Sequence, residues 1–370
     1  MLQRRQLLLG LSGLALAPAL PARAAVPVDA AALLKATPAP AVAGAVVGPK
    51  GVEDIVFAGV RRIGAPDPVG RDDLWHLGSN TKAMTAALYG RLVEQGAARW
   101  GATLTELFPQ VAVDPAFAPV TVEQLLGHRS GIVDAPIIQG GWLLRAHQDK
   151  RPLPVQRAEL AGQILAAPPA GQPGAFAYSN MGYILAGSAI ERITGQGWEE
   201  AMTSRLFKPL GVTAAGFGPP TGANPWGHRP GGGGLVGVDP SGFADNPPAL
   251  GPAGRIHMTL TDYGRFLRLF LGGEGLLKPA TVSRLTTPVP GEGRPYALGW
   301  AVSAPAWSPG PLIAHEGSNT MWHAVSFVSP GLKRAFVGVC NGPPDASGQS
   351  ARKMADALRV QVAPDAKDAA

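Results

Sequence analysis

The chain is almost without cysteine. Cys340 is the single one in 370 residues, so no disulfide can form within the chain and a packed core has to supply the stability. It lies in "RAFVGVC", which reads as a buried strand, and a small core residue is what that setting asks for. Basic runs interleaved with aromatics are missing too, which excludes the usual footprint of a nucleic-acid binder. His76, His128, His147, His228, His257 and His323 show no metal-ligand spacing, so neither a metal nor a cofactor is expected. Gly-x-Ser-x-Gly is absent, which argues against an α/β-hydrolase. No internal repeat is visible, and the only low-complexity block is the glycine run at 231–234.

What is present begins with 46% hydrophobic residues, enough for one large domain or two interlocked ones. Glycine (49) and proline (37) are spread without a period, which points to many turns and long loops. Residues 1–24 form a secretory signal pattern: Arg4 and Arg5, an apolar run from Leu7 to Leu20, and a small-x-small site at Ala22–Ala24. The run is too short and too rich in Gly and Pro for a membrane span. The paired arginines admit either a Sec or a twin-arginine route, and no cysteine follows to anchor a lipid. Export to the periplasm or medium is therefore expected. Removing the three arginines of this segment takes the formal charge from +6 to +3, no case for a polyanionic partner.

"AVAGAVVG" and "DIVFAGVRRI" read as two strands, and "YALGWAVS", "MWHAVSFVS" and "RAFVGVC" as strands near the other end, before a helix over 350–362. Between them lie mostly helices. One runs from about Ser79 to Gly96; another opens at Thr121 with a Thr121/Gln124 capping box and ends at Gly131. A third covers 178–195, and "GWEEAMTSRLFKPLG" is a further one halted before Pro209. Residues 133–157 read as an irregular loop with a short helix, and 214–254 as a long surface excursion of the kind that is often functional. The order predicts a sheet built from both chain ends, with a helical region inserted. The expected division is 25–98 with 250–363 as the sheet domain, 99–249 as the helical insertion and 364–370 as a tail.

Three short motifs could carry chemistry. Ser79 and Lys82 stand three apart, on one helical face. A serine hydroxyl is a weak nucleophile until a base takes its proton. A lysine buried at a helix mouth loses its charge through desolvation and the helix dipole, and could serve as that base. Ser-x-x-Lys alone is common: "SARK" at 350–353 repeats it and reads as solvated surface. "YSN" at 178–180 puts Tyr178 and Asn180 at a helix entrance, where a phenol can share a proton with Lys82 and an amide can hold a substrate carbonyl and steady the lysine. Taken alone, that segment is equally a helix cap. In "HEGSN", Gly317 allows close backbone approach and the Ser318 N–H could hold an oxyanion together with the free amides at the Ser79 turn.

In this order and spacing the three motifs resemble those of the serine β-lactamase and penicillin-recognising family, in its class C branch with the D-alanyl-D-alanine peptidases and family VIII esterases. The likeness extends through "TVEQLLGHRSGI", the long stretch from Pro173 to Val212, and "ALGWAV". It implies an α/β plus all-α, β-lactamase/transpeptidase-like fold: an antiparallel sheet flanked by helices, with the site in the cleft. It implies Ser79 as nucleophile, Lys82 and Tyr178 as the base pair, Asn180 as substrate anchor, and a third-motif strand at His315–Gly317. The family's Lys-Thr-Gly is here His315-Glu316-Gly317. A histidine of ordinary pKa, roughly 6.5, is mostly neutral at pH 7, and Glu316 would add repulsion if it faced the cleft. Weaker recognition of carboxylate-bearing β-lactams follows. The expected activity is acyl-enzyme hydrolysis of a small ester, amide or D-amino acid peptide. The alternatives are a true β-lactamase and a non-catalytic envelope binding or sensor module. Trp142, Trp226 and Trp322 could line an acyl pocket or pack a core or loop.

Overall fold

The strand-like segments from the two chain ends pair with each other. In a computed structural model describing residues 27–272 and 275–365, β1 (Ala41–Gly48) and β2 (Gly51–Gly59) form a hairpin, and β1 pairs on its other side with β11 (Arg334–Cys340). The sheet continues through β10 (His323–Ser329), β9 (Leu312–Ser318) and β8 (Ala301–Ser303). Its order is β2-β1-β11-β10-β9-β8, antiparallel throughout. The expected signal segment, 1–24, and most of the tail lie outside the described residues.

β1 is buried on both faces, which explains its run of Ala, Val and Gly in place of polar–apolar alternation. One face meets the C-terminal helix Ser350–Val362 through Val42, Val46, Met354 and Leu358; the other joins the main core. The helix sits so close that a Cβ on Gly338 would fall 1.9 Å from the Ala351 carbonyl. Ser350 is buried and hydrogen-bonds the Ser347 carbonyl, while Lys353 is exposed. The second Ser-x-x-Lys is thus a helix opening with a buried hydroxyl, not the wholly solvated surface its polar neighbours suggested. Cys340 is fully buried in β11.

The helical segments depart from expectation where backbone chemistry intervenes. The Thr121/Gln124 capping box forms, but its helix stops at Leu126, and His128 follows with a positive φ of 59°. Helix 180–194 ends at Gly195 in the left-handed conformation, as its sequence asks. Pro209 does not halt its helix. A π-turn over Thr203–Phe207 absorbs the defect and the helix runs on to Leu210. The excursion 214–254 carries β4 (Ala215–Phe217) and the hairpin β5 (Gly227–Gly231) with β6 (Gly234–Val238), whose tip is the glycine run. β4 joins β3 (Trp75–His76) and β7 (Ile256–Met258) in a small sheet beneath the Ser79 turn. Among the described residues no helix is long and apolar enough to cross a membrane.

Candidate active site

Ser79 stands where β3 gives way to a helix. A 3-10 turn, Gly78–Asn80, comes first, and the α-helix proper runs from Thr81 to Glu94. Gly78 has φ +52°, and a Cβ there would lie 2.5 Å from the Ser318 nitrogen. Asn80 pins the turn: its Nδ2 donates to the Leu77 carbonyl (2.9 Å) and the Tyr263 hydroxyl donates to its Oδ1 (3.0 Å). Ser79 is half-buried and Lys82, one turn on, is wholly buried.

The Lys82 amine has three oxygen neighbours: Asn180 Oδ1 at 2.8 Å, the Ala253 carbonyl at 2.7 Å and Ser79 Oγ at 3.1 Å. The first two can only accept, so they take two N–H bonds and fix the rotation of the amine. In its neutral form the remaining position is a lone pair facing the serine hydroxyl. Burial lowers the lysine pKa to about 7, with the nearby Asp134 carboxylate opposing the shift. The neutral amine is therefore well populated and fully hydrogen-bonded.

Tyr178 comes from the stretch before helix 180–194. The residue is 41% exposed on the cleft wall, with its ring centred 4.8 Å from the Lys82 nitrogen and its hydroxyl under the influence of Ser79. Although part of the residue is exposed, desolvation around its hydroxyl holds the proton above the ordinary tyrosine range, so the resting group is a phenol. The helix cap and the site coincide here. Ser179 is the N-cap, accepting from Gly182 N–H (3.0 Å), and Asn180 is the first helical residue. Asn180 accepts from the Lys82 amine through Oδ1, and one of its two Nδ2 hydrogens is given to Asp134 Oδ2 (3.0 Å).

β9 brings the third motif alongside. β8 pairs only with Leu312–Ala314, so the motif follows the paired part of that edge. A Cβ on Gly317 would fall 2.5 Å from the Ser79 nitrogen, and the backbones of Gly78–Ser79 and Gly317–Ser318 lie directly against one another. The Ser318 hydroxyl is turned to the Trp322 carbonyl (2.7 Å).

His315 is engaged at both nitrogens. Nδ1 lies 2.9 Å from the Glu316 carbonyl, which can only accept, so Nδ1 carries the proton. Nε2 then accepts from the Tyr296 hydroxyl at 2.8 Å. Burial, reinforced by Lys82, lowers its pKa to about 3, well beyond the near-neutral value of a free histidine. Glu316 points to the opposite face of the sheet, where it pairs with His323 (2.7 Å) and Arg352. These partners compensate its charge, although Glu316 and Arg352 also line the cavity beside Tyr178 and His315.

A cavity of about 460 Å³ opens beside Tyr178 and His315, walled by Phe176, Tyr296, Trp307 and Phe327 with Arg294 at its edge. Trp142 and Trp322 are core residues, and Trp226 packs on Arg62; none of the three lines this cavity. Sequence reasoning missed several groups around the amine, the Ala253 carbonyl, Asp134 and His128, and with them Tyr296, the partner of His315. It also missed His76, whose Nδ1 accepts from Gly78 N–H (3.2 Å) while Nε2 bonds Asp245 (3.0 Å). Asp245 further holds Arg255 and Asn319, so the glycine-rich excursion reaches under the serine turn. Apart from the bond between His76 and Gly78, two residues on, the contacts that bring these residues to the site cross longer stretches of the chain.

The sheet and its helical flanks form the β-lactamase/transpeptidase fold. A D-stereospecific amidohydrolase from a Streptomyces species superposes with a TM-score of 0.69 at 22% identity, over 88% of this chain and 98% of that one. The D-alanine carboxypeptidase AmpC of Burkholderia cenocepacia gives 0.69 at 20% identity, over 89% and 96%. The Beta-lactamase family profile matches residues 30–361, and the chain belongs to that family of serine hydrolases. Among named relatives, penicillin-binding protein 4 of Amycolatopsis lactamdurans is 28% identical over 295 residues, 74% of each chain. Lovastatin esterase of Penicillium rubens is 28% identical over 260 residues, 60% of this chain and 61% of its own.

Proposed function

We propose that this chain is an exported serine hydrolase that cleaves small esters or amides through an acyl-enzyme on Ser79. The observation that carries the reading is the Lys82 amine: buried, held by two carbonyl acceptors, and facing Ser79 Oγ at 3.1 Å. As Oγ attacks the substrate carbonyl carbon, its proton passes to Lys82 Nζ. The resulting oxyanion is received by the Ser79 and Ser318 backbone N–H groups. The carbonyl then re-forms, the bond to the leaving group breaks, and the Tyr178 phenol protonates the departing oxygen or nitrogen while Lys82 returns a proton to Tyr178. Water, deprotonated by the same pair, attacks the acyl-enzyme and regenerates Ser79. General-base assistance of this kind is worth about 10²–10⁴ in rate.

Substrate choice follows from His315. With both nitrogens bound and the ring neutral, the third motif offers no cation to a carboxylate. The names of a lovastatin esterase and a D-stereospecific amidohydrolase among the relatives agree with ester or amide substrates, D-amino acid peptides included. The test compares kcat/KM on short-chain nitrophenyl esters, a chromogenic cephalosporin and a D-alanyl-D-alanine peptide. Esters are expected to lead; a dominant cephalosporin rate overturns the substrate assignment. A fluorophosphonate probe is expected to label the wild-type protein and spare Ser79→Ala. Equal labelling of the two removes the acyl-enzyme altogether.

A further inference from the structure

Asp134 lies in the loop after the short helix Val122–Leu126, just ahead of a second short helix, Ala135–Gln139. Its carboxylate is inserted under the opening of helix 180–194. Oδ1 accepts from the Ser179 hydroxyl (2.7 Å) and from Met181 N–H (3.0 Å). Oδ2 accepts from Asn180 N–H (2.8 Å) and from Asn180 Nδ2 (3.0 Å). The last bond decides the orientation of the amide. A carboxylate can only accept here, so Asn180 must turn its NH₂ toward Asp134 and its Oδ1 toward Lys82. Flipping the amide would set an oxygen against a carboxylate and an NH₂ against an amine that needs an acceptor.

Resting on the acyl-enzyme reading above, we propose that Asp134 is the positioning residue of the site: by locking the Asn180 amide it holds the Lys82 amine, and so its lone pair, on Ser79. Asp134 does not touch the amine itself; it acts through Asn180 and through its field. Of the titratable groups around the amine, His128 and His315 are kept neutral by burial and by Lys82 itself, and Tyr178 and Tyr183 are kept as phenols. Ala253 contributes only a carbonyl. Asp134 supplies the one negative charge among these groups, and that charge favours the protonated amine.

The experiment uses the full chain and an ester substrate, with Asp134→Asn compared with Ser179→Ala. The second variant removes one Asp134 partner and the helix N-cap but keeps the charge and both Asn180 bonds. Asp134→Asn is expected to lower kcat by roughly 10²-fold, since small displacements of reacting groups cost that much, with KM changed less than about threefold. Its acid limb of kcat/KM moves to lower pH by roughly half a unit or more, because removing a negative charge weakens proton binding at Lys82. Ser179→Ala is expected to lower the melting temperature and leave that limb in place. Should Asp134→Asn not fold, Asp134→Ser removes the charge while retaining a small acceptor, and carries the same test. A charge-removing variant with wild-type kcat and an unmoved limb overturns the proposal, as does an equal displacement in Ser179→Ala. Failure of the acyl-enzyme reading is separate: it appears as fluorophosphonate labelling that survives in Ser79→Ala.

Discussion

An amine whose pKa lies at about 7 is half neutral at neutral pH, and the proposed chemistry needs the neutral half. kcat/KM for ester hydrolysis is therefore expected to rise with pH through that region and then level off, since the Tyr178 proton is held above the ordinary tyrosine range. A profile already flat from about pH 5.5 upward would exclude Lys82 as the base. Lys82→Arg is expected to cost about 10²–10⁴ in kcat although charge is preserved, because arginine stays protonated. Near-normal turnover in that variant excludes the lysine equally. The same shift acts on folding. An unfolded lysine titrates at roughly 10.4, so from about pH 7 up to that value the unfolded chain binds the extra proton and this group's contribution to stability improves as pH rises. Below about pH 7 its penalty is present in full. Denaturation midpoints of the wild type and Lys82→Gln, followed across that window, read the slope directly.

At the scale of elements, the contact between the Ser79 turn and β9 is backbone against backbone, with no room for a side chain. Gly317→Ala places a methyl 2.2 Å from the Leu77 carbonyl and 2.5 Å from the Ser79 nitrogen, so β9 has to draw back from the turn. The acyl-enzyme burst is expected to fall by about 10²–10³, the usual cost of one oxyanion donor, while binding of a substrate analogue persists. A wild-type burst in this variant removes Ser318 N–H from the mechanism. The elements whose ends were legible are those whose signals are local: the Thr121/Gln124 box, and Gly195 in a left-handed cap. Pro209 misled because a five-residue π-turn ending two residues before it relieves the clash that normally ends a helix. The 3-10 start at Gly78–Asn80 also escaped sequence reading, since it is set by Asn80 bonding to Leu77, Tyr263 and the Ala324 carbonyl across the fold.

For the whole molecule, the two chain ends meet at β1–β11, and the C-terminal helix seals that seam. Gly338→Ala would set a methyl 1.9 Å from the Ala351 carbonyl and 2.7 Å from Ala355 N, forcing helix and sheet apart. Overpacking of this kind costs about 1–3 kcal/mol. A lower denaturation midpoint is expected, with kcat less affected under native conditions because Gly338 faces the C-terminal helix, on the side of the sheet away from the main core. An unchanged midpoint would mean that the helix is not clamped to the sheet as described.

The amino-acid sequence by itself determined that both chain ends contribute strands to one sheet, the Ser79–Lys82 spacing, and the helix entrance carrying Tyr178 and Asn180. These are written in hydrophobic pattern, helical period and caps, all of which act within a few residues. Only the tertiary structure decided which groups complete the site. Asp134 meets Asn180 across 46 residues, Ala253 meets Lys82 across 171, and Asp245 meets His76 across 169. It also paired Glu316 with His323 and Arg352 and bound both nitrogens of His315. Side-chain direction and desolvation depend on what the rest of the chain brings alongside, and no window of sequence contains that information.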